Sequence, residues 1–326
     1  VTAESARRAA VEQAAAVLGP SAERDVPLGP MTTYRVGGSA ALFVRPRTLA
    51  DLEVVAEALA VSGLAVLVIG RGSNLLVADE GFVGIALSLV QLGSEIEIDG
   101  VDVWAGGAVA LPVLARRTVA AGLTGFEWAV GVPGSVGGGV RMNAGGHGSD
   151  MAASLVEVEL FDLERRRGGL VAATALGLRF RGSDLADHQL VVRARLRLAE
   201  GDRQAAEREL DEIVRWRREH QPGGQNAGSV FVNPIPGELA AGALIDQIGL
   251  RGFRIGTAHV SDKHANFIQA DDGGSAADVR AVMDEVRRRV AEETGHLLRS
   301  EVRMVGFGDA GGGAPGHTEL FCGVDW

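Results

Sequence analysis

The stretch GVPGSVGGGVRMNAGGHGSDM, Gly131 to Met151, decides how this chain is read. It holds eight glycines and a single acidic side chain, Asp150. Glycine lets backbone N–H groups approach an anion closely and reaches positive φ without strain. So many glycines inside a compact domain lose conformational entropy with no packing return, which makes a plain surface loop a weak explanation. A nest of backbone donors for an anionic cofactor is the better one. Its candidate contacts are Gly131, Pro133, Gly134, Ser135, Gly138, Gly145 and Gly148, with Asn143 able to reach a heterocycle.

Working outward, a second glycine turn, GRGSNLLV (Gly70 to Val77), follows the apolar run AVLVIG directly. Gly70, Arg71, Gly72, Ser73, Asn74 and Leu75 can aim N–H groups and a hydroxyl at a pyrophosphate. The turn is neither GxGxxG nor a P-loop, and the Walker lysine is missing, so ATP hydrolysis is disfavoured. Alone, it would read as an ordinary tight turn. TTYRVGGSA (Thr32 to Ala40) carries the only tyrosine, Tyr34, which by itself reads as an aromatic packed beside a turn.

Composition sets the outer limits. At 326 residues, 46% apolar and 23% charged, the chain is long enough for about two or three soluble domains. A net charge of −10 argues against a nucleic-acid or anionic-membrane partner. Arginine supplies nearly all the positive charge, and Lys263 is the only lysine. Cys322 is the only cysteine, and no Cys/His spacing suggests zinc, so no metal is expected. No apolar run approaches the roughly 18 residues of a membrane span, and the first residues are too charged for a signal peptide. A cytoplasmic protein, monomeric or weakly oligomeric, is expected.

The pattern predicts helices at 3–18, 48–62 (capping box Thr48/Asp51), 111–121, 202–220, 237–248 and 275–294, the last closed by Gly295. Strands are expected at 65–70, in a hairpin over IEIDG and VDVWAGG, in LVEVELFDLE and HQLVVRARLRL, in NFIQA, and in LLRSEVRMVGF. A shift in composition near residue 200 suggests a domain boundary. The chain divides into a helix and linker at 1–27, a cofactor domain at 28–200 (halves about 28–88 and 89–200), a second domain at 201–308, and a flexible tail at 309–326.

Three motifs lie in the second domain. NAGSVFVNP reads as a strand with Ser229, Phe231 and Asn233 on one side and Val230 and Val232 on the other. Ser229 could donate a proton, but no adjacent histidine or GxSxG elbow makes it a nucleophile. In SEVR, Glu301 and Arg303 share a strand face, which alone reads as an ion-pair surface. In SDKHANFI, Lys263 could meet a phosphate, and His264 reads as a structural histidine.

In this order and spacing, the motifs from Thr32 to Gly306 resemble the UDP-N-acetylenolpyruvoylglucosamine reductases of bacterial cell-wall synthesis. The resemblance implies an α+β architecture: a two-subdomain FAD-binding fold of the vanillyl-alcohol-oxidase type, then a C-terminal α+β substrate domain. It implies non-covalent FAD, NADPH as reductant, and reduction of an enolpyruvyl nucleotide sugar to UDP-N-acetylmuramate. Tyr34 and the two glycine loops would hold the cofactor. Ser229 would be the proton donor, Arg181 and Glu301 would polarise the substrate carboxylate, and Asn233 and Lys263 would contact substrate or NADPH phosphate. A glutamate near another carboxylate should have a raised pKa. Phe180 stands where the family usually has tyrosine, and Val232 where it often has lysine or threonine. No long insertion separates Asp150 from Arg181, as in the shorter-loop subclass. Other readings are an oxidase or dehydrogenase on the same fold, a paralogue acting on a modified nucleotide sugar, and a non-catalytic flavin or nucleotide-sugar binder. Fold alone does not separate them, but the joint presence of Ser229, Arg181 and Glu301 favours the reductase.

Overall fold

The structure, a computed structural model, describes residues 2–308; the proposed tail and Cys322 lie outside the described residues. Helix α1 (Ala3–Leu18) leads into β1 (Ala22–Pro27) and β2 (Ser39–Val44). Helix α2 (Leu49–Ser62) forms the full capping box, Thr48 and Asp51 each bonding the other's backbone, and ends at a left-handed Gly63. Strands β3 (Ala65–Val68), β4 (Leu75–Val77) and β5 (Phe82–Leu87) follow. The first sheet runs β1-β2-β5-β3, antiparallel between β1 and β2 and parallel elsewhere. A bulge between Ala40 and Leu42 turns Leu42 and Val44 toward α1 and α2, while Phe43 faces Leu67 and Val77.

The second half is a five-stranded antiparallel sheet of β6 (Ile96–Asp99), β7 (Asp102–Gly106), β8 (Leu155–Asp162), β9 (Arg167–Ala172) and β10 (Gln189–Arg197), in the order β9-β8-β10-β7-β6. One face buries Val158, Leu160, Ala194 and Leu196 beneath α3 (Leu111–Ala120), α4 (Val136–Arg141) and α5 (Arg203–His220). Phe161, Leu190 and Val192 on the other face pack with the α1–α2 layer, so the two halves share one core.

This packing bears on two boundaries. Helix α5, beyond the boundary expected at residue 200, buries Ala206, Leu210 and Ile213 in the second half's core. The charge that suggested a boundary there is the solvent face of an amphipathic helix. Residues 1–27 are no separate linker, because α1 packs in the shared core and β1 is a sheet strand.

The last domain holds α6 (Ala241–Gln247), an antiparallel meander of β11 (Arg254–Ile255), β12 (Ala258–Val260) and β13 (Ile268–Ala270), and α7 (Ala276–Thr294). Val279, Val282, Met283, Val286 and Val290 of α7 fill its core, as their spacing requires. Helix α6 is shorter than the 237–248 expected. Two strand expectations also change. The final strand shrinks to β14 (Arg303–Val305) and pairs in parallel with β4 of the cofactor domain. Residues 229–233 form a single bridge, Phe231 to Ser300, and Val230, Phe231 and Val232 are all buried, so the alternation read there is absent. Asp79 of the cofactor domain caps α7, accepting from the N–H groups of Ala276 (2.9 Å) and Ala277 (3.0 Å). Among the described residues, no helix is long and apolar enough to cross a membrane.

Candidate active site

The two glycine loops meet. A Cβ on Gly70 would stand 2.2 Å from Ser135 Oγ, and one on Gly134 would stand 3.6 Å from Ser73 Oγ. Five consecutive backbone N–H groups, Gly70 to Asn74, donate no hydrogen bond among the described residues, and neither do those of Gly134 and Ser135. Gly70 and Arg71 are exposed and the others partly or fully enclosed, so this cluster of unpaired donors forms a cradle whose chemistry suits an anion such as the pyrophosphate of FAD.

The glycines in it serve two purposes. Gly72 has φ +61° and a Cβ there would lie 2.1 Å from Met31 O, so the protein itself requires glycine. Gly134 and Gly138 lie outside the left-handed region, and nothing in the protein comes closer than 3.4 Å to a Cβ at either. Their small size leaves room for something other than protein. The TTYRVGG motif supports the turn from behind, Thr33 N–H donating to Gly72 O at 3.1 Å.

Other residues expected at the cofactor divide. Arg71 and Pro133 are exposed beside the cradle, Leu75 starts β4, and Gly148 (φ +86°) stands free of neighbours. The Gly131 carbonyl accepts from Arg217 and the Gly145 carbonyl from Arg181. Asn143 is buried; its Nδ2 donates to Asp150 and Arg179 O, and its Oδ1 accepts from the Ala152 N–H. Tyr34 is fully enclosed with Leu76 and Phe231 in the C-terminal core, and burial drives its phenol pKa upward.

Arg181 and Glu301, 120 residues apart, come together: Nε of Arg181 lies 3.2 Å from Oε1 of Glu301. The Arg181 guanidinium also donates to Gly145 O (3.0 Å) and stacks on the Phe180 ring at 5.0 Å, so the departure from tyrosine keeps the aromatic support. Glu301 is mostly enclosed, and burial pushes its carboxyl above the usual range, with Arg181 and Arg299 pulling the other way. Its peptide carbonyl accepts from Asn74 Nδ2 at 2.9 Å.

Ser229, Asn233 and Lys263 line one cavity of about 380 Å³ with Asp246, Arg251, His264 and Asn266. Ser229 Oγ has no hydrogen-bond partner among the described residues. The backbone that carries it is clamped by Asn266, whose side chain accepts from Phe231 N–H (2.9 Å) and donates to Phe231 O (2.8 Å). Glu301 N–H donates to Val230 O at 2.8 Å, so the serine and glutamate segments lie side by side. Asn233 Oδ1 accepts from Ala241 N–H (3.1 Å), and Lys263 Nζ donates to Arg218 O (2.5 Å). His264 packs on Phe267, accepts from Asn266 N–H through Nδ1, and has a pKa lowered by burial and Arg251, consistent with a structural role. A wider open groove of about 730 Å³ along α5, lined by His147, Glu209 and Trp216, holds none of the expected residues.

Two residues were missed. Asn266 sits inside the quoted SDKHANFI motif, yet its clamp on Phe231 leaves no local signal. Asp187 bridges Arg141 and Arg303, which stand 46 and 116 residues away along the chain.

Residues 40–165 match an FAD binding domain, and residues 220–305 match the C-terminal domain of UDP-N-acetylenolpyruvoylglucosamine reductase. The reductase of that name from Heliobacterium modesticaldum is 44% identical over 296 residues, covering 89% of this chain and 92% of its own. That of Gloeobacter violaceus is 44% identical over 293 residues, covering 87% and 96%. The crystal structure of the Thermus caldophilus reductase is similar with a TM-score of 0.75 at 35% identity, covering 87% of this chain and 98% of that one.

Proposed function

The chain belongs to the UDP-N-acetylenolpyruvoylglucosamine reductase family, and from that premise we propose how its own residues carry the reaction. It is an FAD oxidoreductase of peptidoglycan precursor synthesis, with NADPH as reductant and UDP-N-acetylmuramate as product, acting in the cytoplasm. The unpaired N–H groups of Gly70–Asn74, Gly134 and Ser135 hold FAD without a covalent bond. When bound, FAD supplies hydride to the terminal vinyl carbon of the enolpyruvyl ether.

Negative charge then builds at the carbon beside the substrate carboxylate. Arg181 offers that carboxylate a cation. Glu301, whose burial favours the protonated form, offers a hydrogen-bond donor where an ionised carboxylate would repel. Ser229 Oγ–H gives its proton to the same carbon and recovers one from solvent. Asn233 and Lys263 meet the nucleotide's phosphates at the mouth of the cavity.

One observation carries this assignment: the Arg181–Glu301 pair touches the glycine loop through Gly145 and the Ser229 segment through Val230. Anaerobic titration tests it. NADPH should bleach the flavin absorbance, and UDP-N-acetylglucosamine enolpyruvate should restore it in stoichiometric amount. Restoration by oxygen alone would instead support an oxidase.

A further inference from the structure

We infer that Asn74 is a positioning residue for Glu301: the last residue of the cofactor turn fixes where the carboxyl stands. The inference rests on the role given to Glu301 above.

Asn74 grips the final segment at two points. Its Nδ2 donates to Glu301 O at 2.9 Å, and its own carbonyl accepts from Arg303 N–H at 3.1 Å. The next residue, Leu75, opens the parallel pairing with Arg303 that continues to Val77 and Val305. Glu301 N–H is held from the opposite side by Val230 O, and Val302 between the two gripped residues is buried. The Glu301 backbone is thus suspended between the Ser229 segment and the cofactor turn. The carboxamide is the only donor to the Glu301 carbonyl among the described residues.

The residue type matters. Aspartate has nearly the same shape but no N–H to give, and would set a carboxylate against a carbonyl. Alanine removes the tie outright. The donors of the turn that face the cradle are backbone groups, so neither change removes one. Without the tie, the 301–303 segment can shift and the carboxyl moves off its site. A displacement near 1 Å in a catalytic group is worth about 10²-fold in rate.

The experiment is a double-mutant cycle on flavin reoxidation by the enolpyruvyl nucleotide, using Asn74→Ala, Asn74→Asp, Glu301→Ala and the combinations. With FAD loaded, each Asn74 variant should slow reoxidation by about 10–10²-fold. In the Glu301→Ala background the same changes should slow it less than about 3-fold, because the carboxyl they position is already absent. A second readout needs no turnover. In flavin-free protein, ¹³C titration should place the Glu301 carboxyl above the ordinary glutamate pKa of about 4.3. In Asn74→Ala it should fall back toward that value, with the resonance assigned by its absence in Glu301→Gln. Multiplicative effects across the cycle or an unmoved Glu301 titration would overturn the inference and leave the proposed function standing. Normal reoxidation in Glu301→Ala alone would overturn the role of Glu301, and this inference with it.

Discussion

At the scale of single residues, the proposed chemistry rests on one cation, Arg181, and one carboxyl, Glu301, neither fully solvated. Arg181→Ala and Glu301→Ala each remove a contact that matters most as charge develops, so each should lower turnover by about 10²–10³-fold with FAD retained. Near-normal steady-state turnover in either variant would show that residue misassigned. Glu301 also predicts a pH effect on stability. Its folded pKa is raised by burial. Between the ordinary value of about 4.3 and that raised value, the folded state keeps a proton that the unfolded chain has released. Its stabilising contribution is therefore full below about 4.3 and is lost as pH rises through the folded pKa. Glutamine stays neutral throughout, so Glu301→Gln should remove this component from the pH dependence of unfolding free energy in denaturant titrations. Identical slopes in the two proteins would contradict it. Neither residue could be singled out from its own surroundings. SEVR alone reads as a surface ion pair, and Arg303 in fact pairs with Asp187. Only the joint order of motifs pointed to Glu301, and only folding shows Arg181 against it. Tyr34 is ambiguous in sequence for the same reason: a lone aromatic beside a glycine turn looks the same whether it faces a ligand or a core.

At the scale of elements, the glycine loops and the domain latch make separable predictions. Gly134→Val and Gly138→Val meet no protein atom closer than 3.4 Å at Cβ, so the folded protein should tolerate them while the cofactor's approach is blocked. Far-UV circular dichroism should be unchanged and the purified protein colourless; stoichiometric flavin in either variant would contradict the cradle. Gly72→Val differs, because its Cβ would press on Met31 O, and it should destabilise the fold itself. The carboxylate of Asp79 receives two N–H groups at the start of α7. Asp79→Ala should therefore lower unfolding free energy by about 1 kcal/mol, measured in urea, with activity largely kept. Unchanged stability would show the cap to be solvent-replaceable. The strongly periodic elements, α2 with its capping box and α7 with its valine stripe, were legible because period and caps agree. The Ser229 segment was not. Val230, Phe231 and Val232 are enclosed on both sides, and a fully enclosed segment loses the two-residue alternation that marks a strand. The short β14 was overextended for a related reason: its partner, β4, lies more than two hundred residues upstream.

At the scale of the whole molecule, the cofactor halves and the last domain are interlocked. Tyr34, Val36 and Leu76 of the cofactor domain sit in the C-terminal core, and β14 returns the chain to β4. This return brings Glu301 to Arg181 and sets the serine cavity beside the cradle. It also divides the labour. In the proposed mechanism the glycine loops serve the cofactor and Ser229, in the C-terminal domain, serves the substrate. In that mechanism Ser229 acts only after hydride has left the flavin. Anaerobic stopped-flow absorbance on Ser229→Ala tests this most directly by following each half-reaction alone. Reduction by NADPH should run at nearly the normal rate, and reoxidation by the enolpyruvyl nucleotide should slow by about 10²–10⁴-fold, the usual worth of a positioned general acid. Ser229→Cys should recover part of the loss, since a thiol also donates a proton. Equal slowing of both halves, or normal reoxidation in Ser229→Ala, would contradict the account.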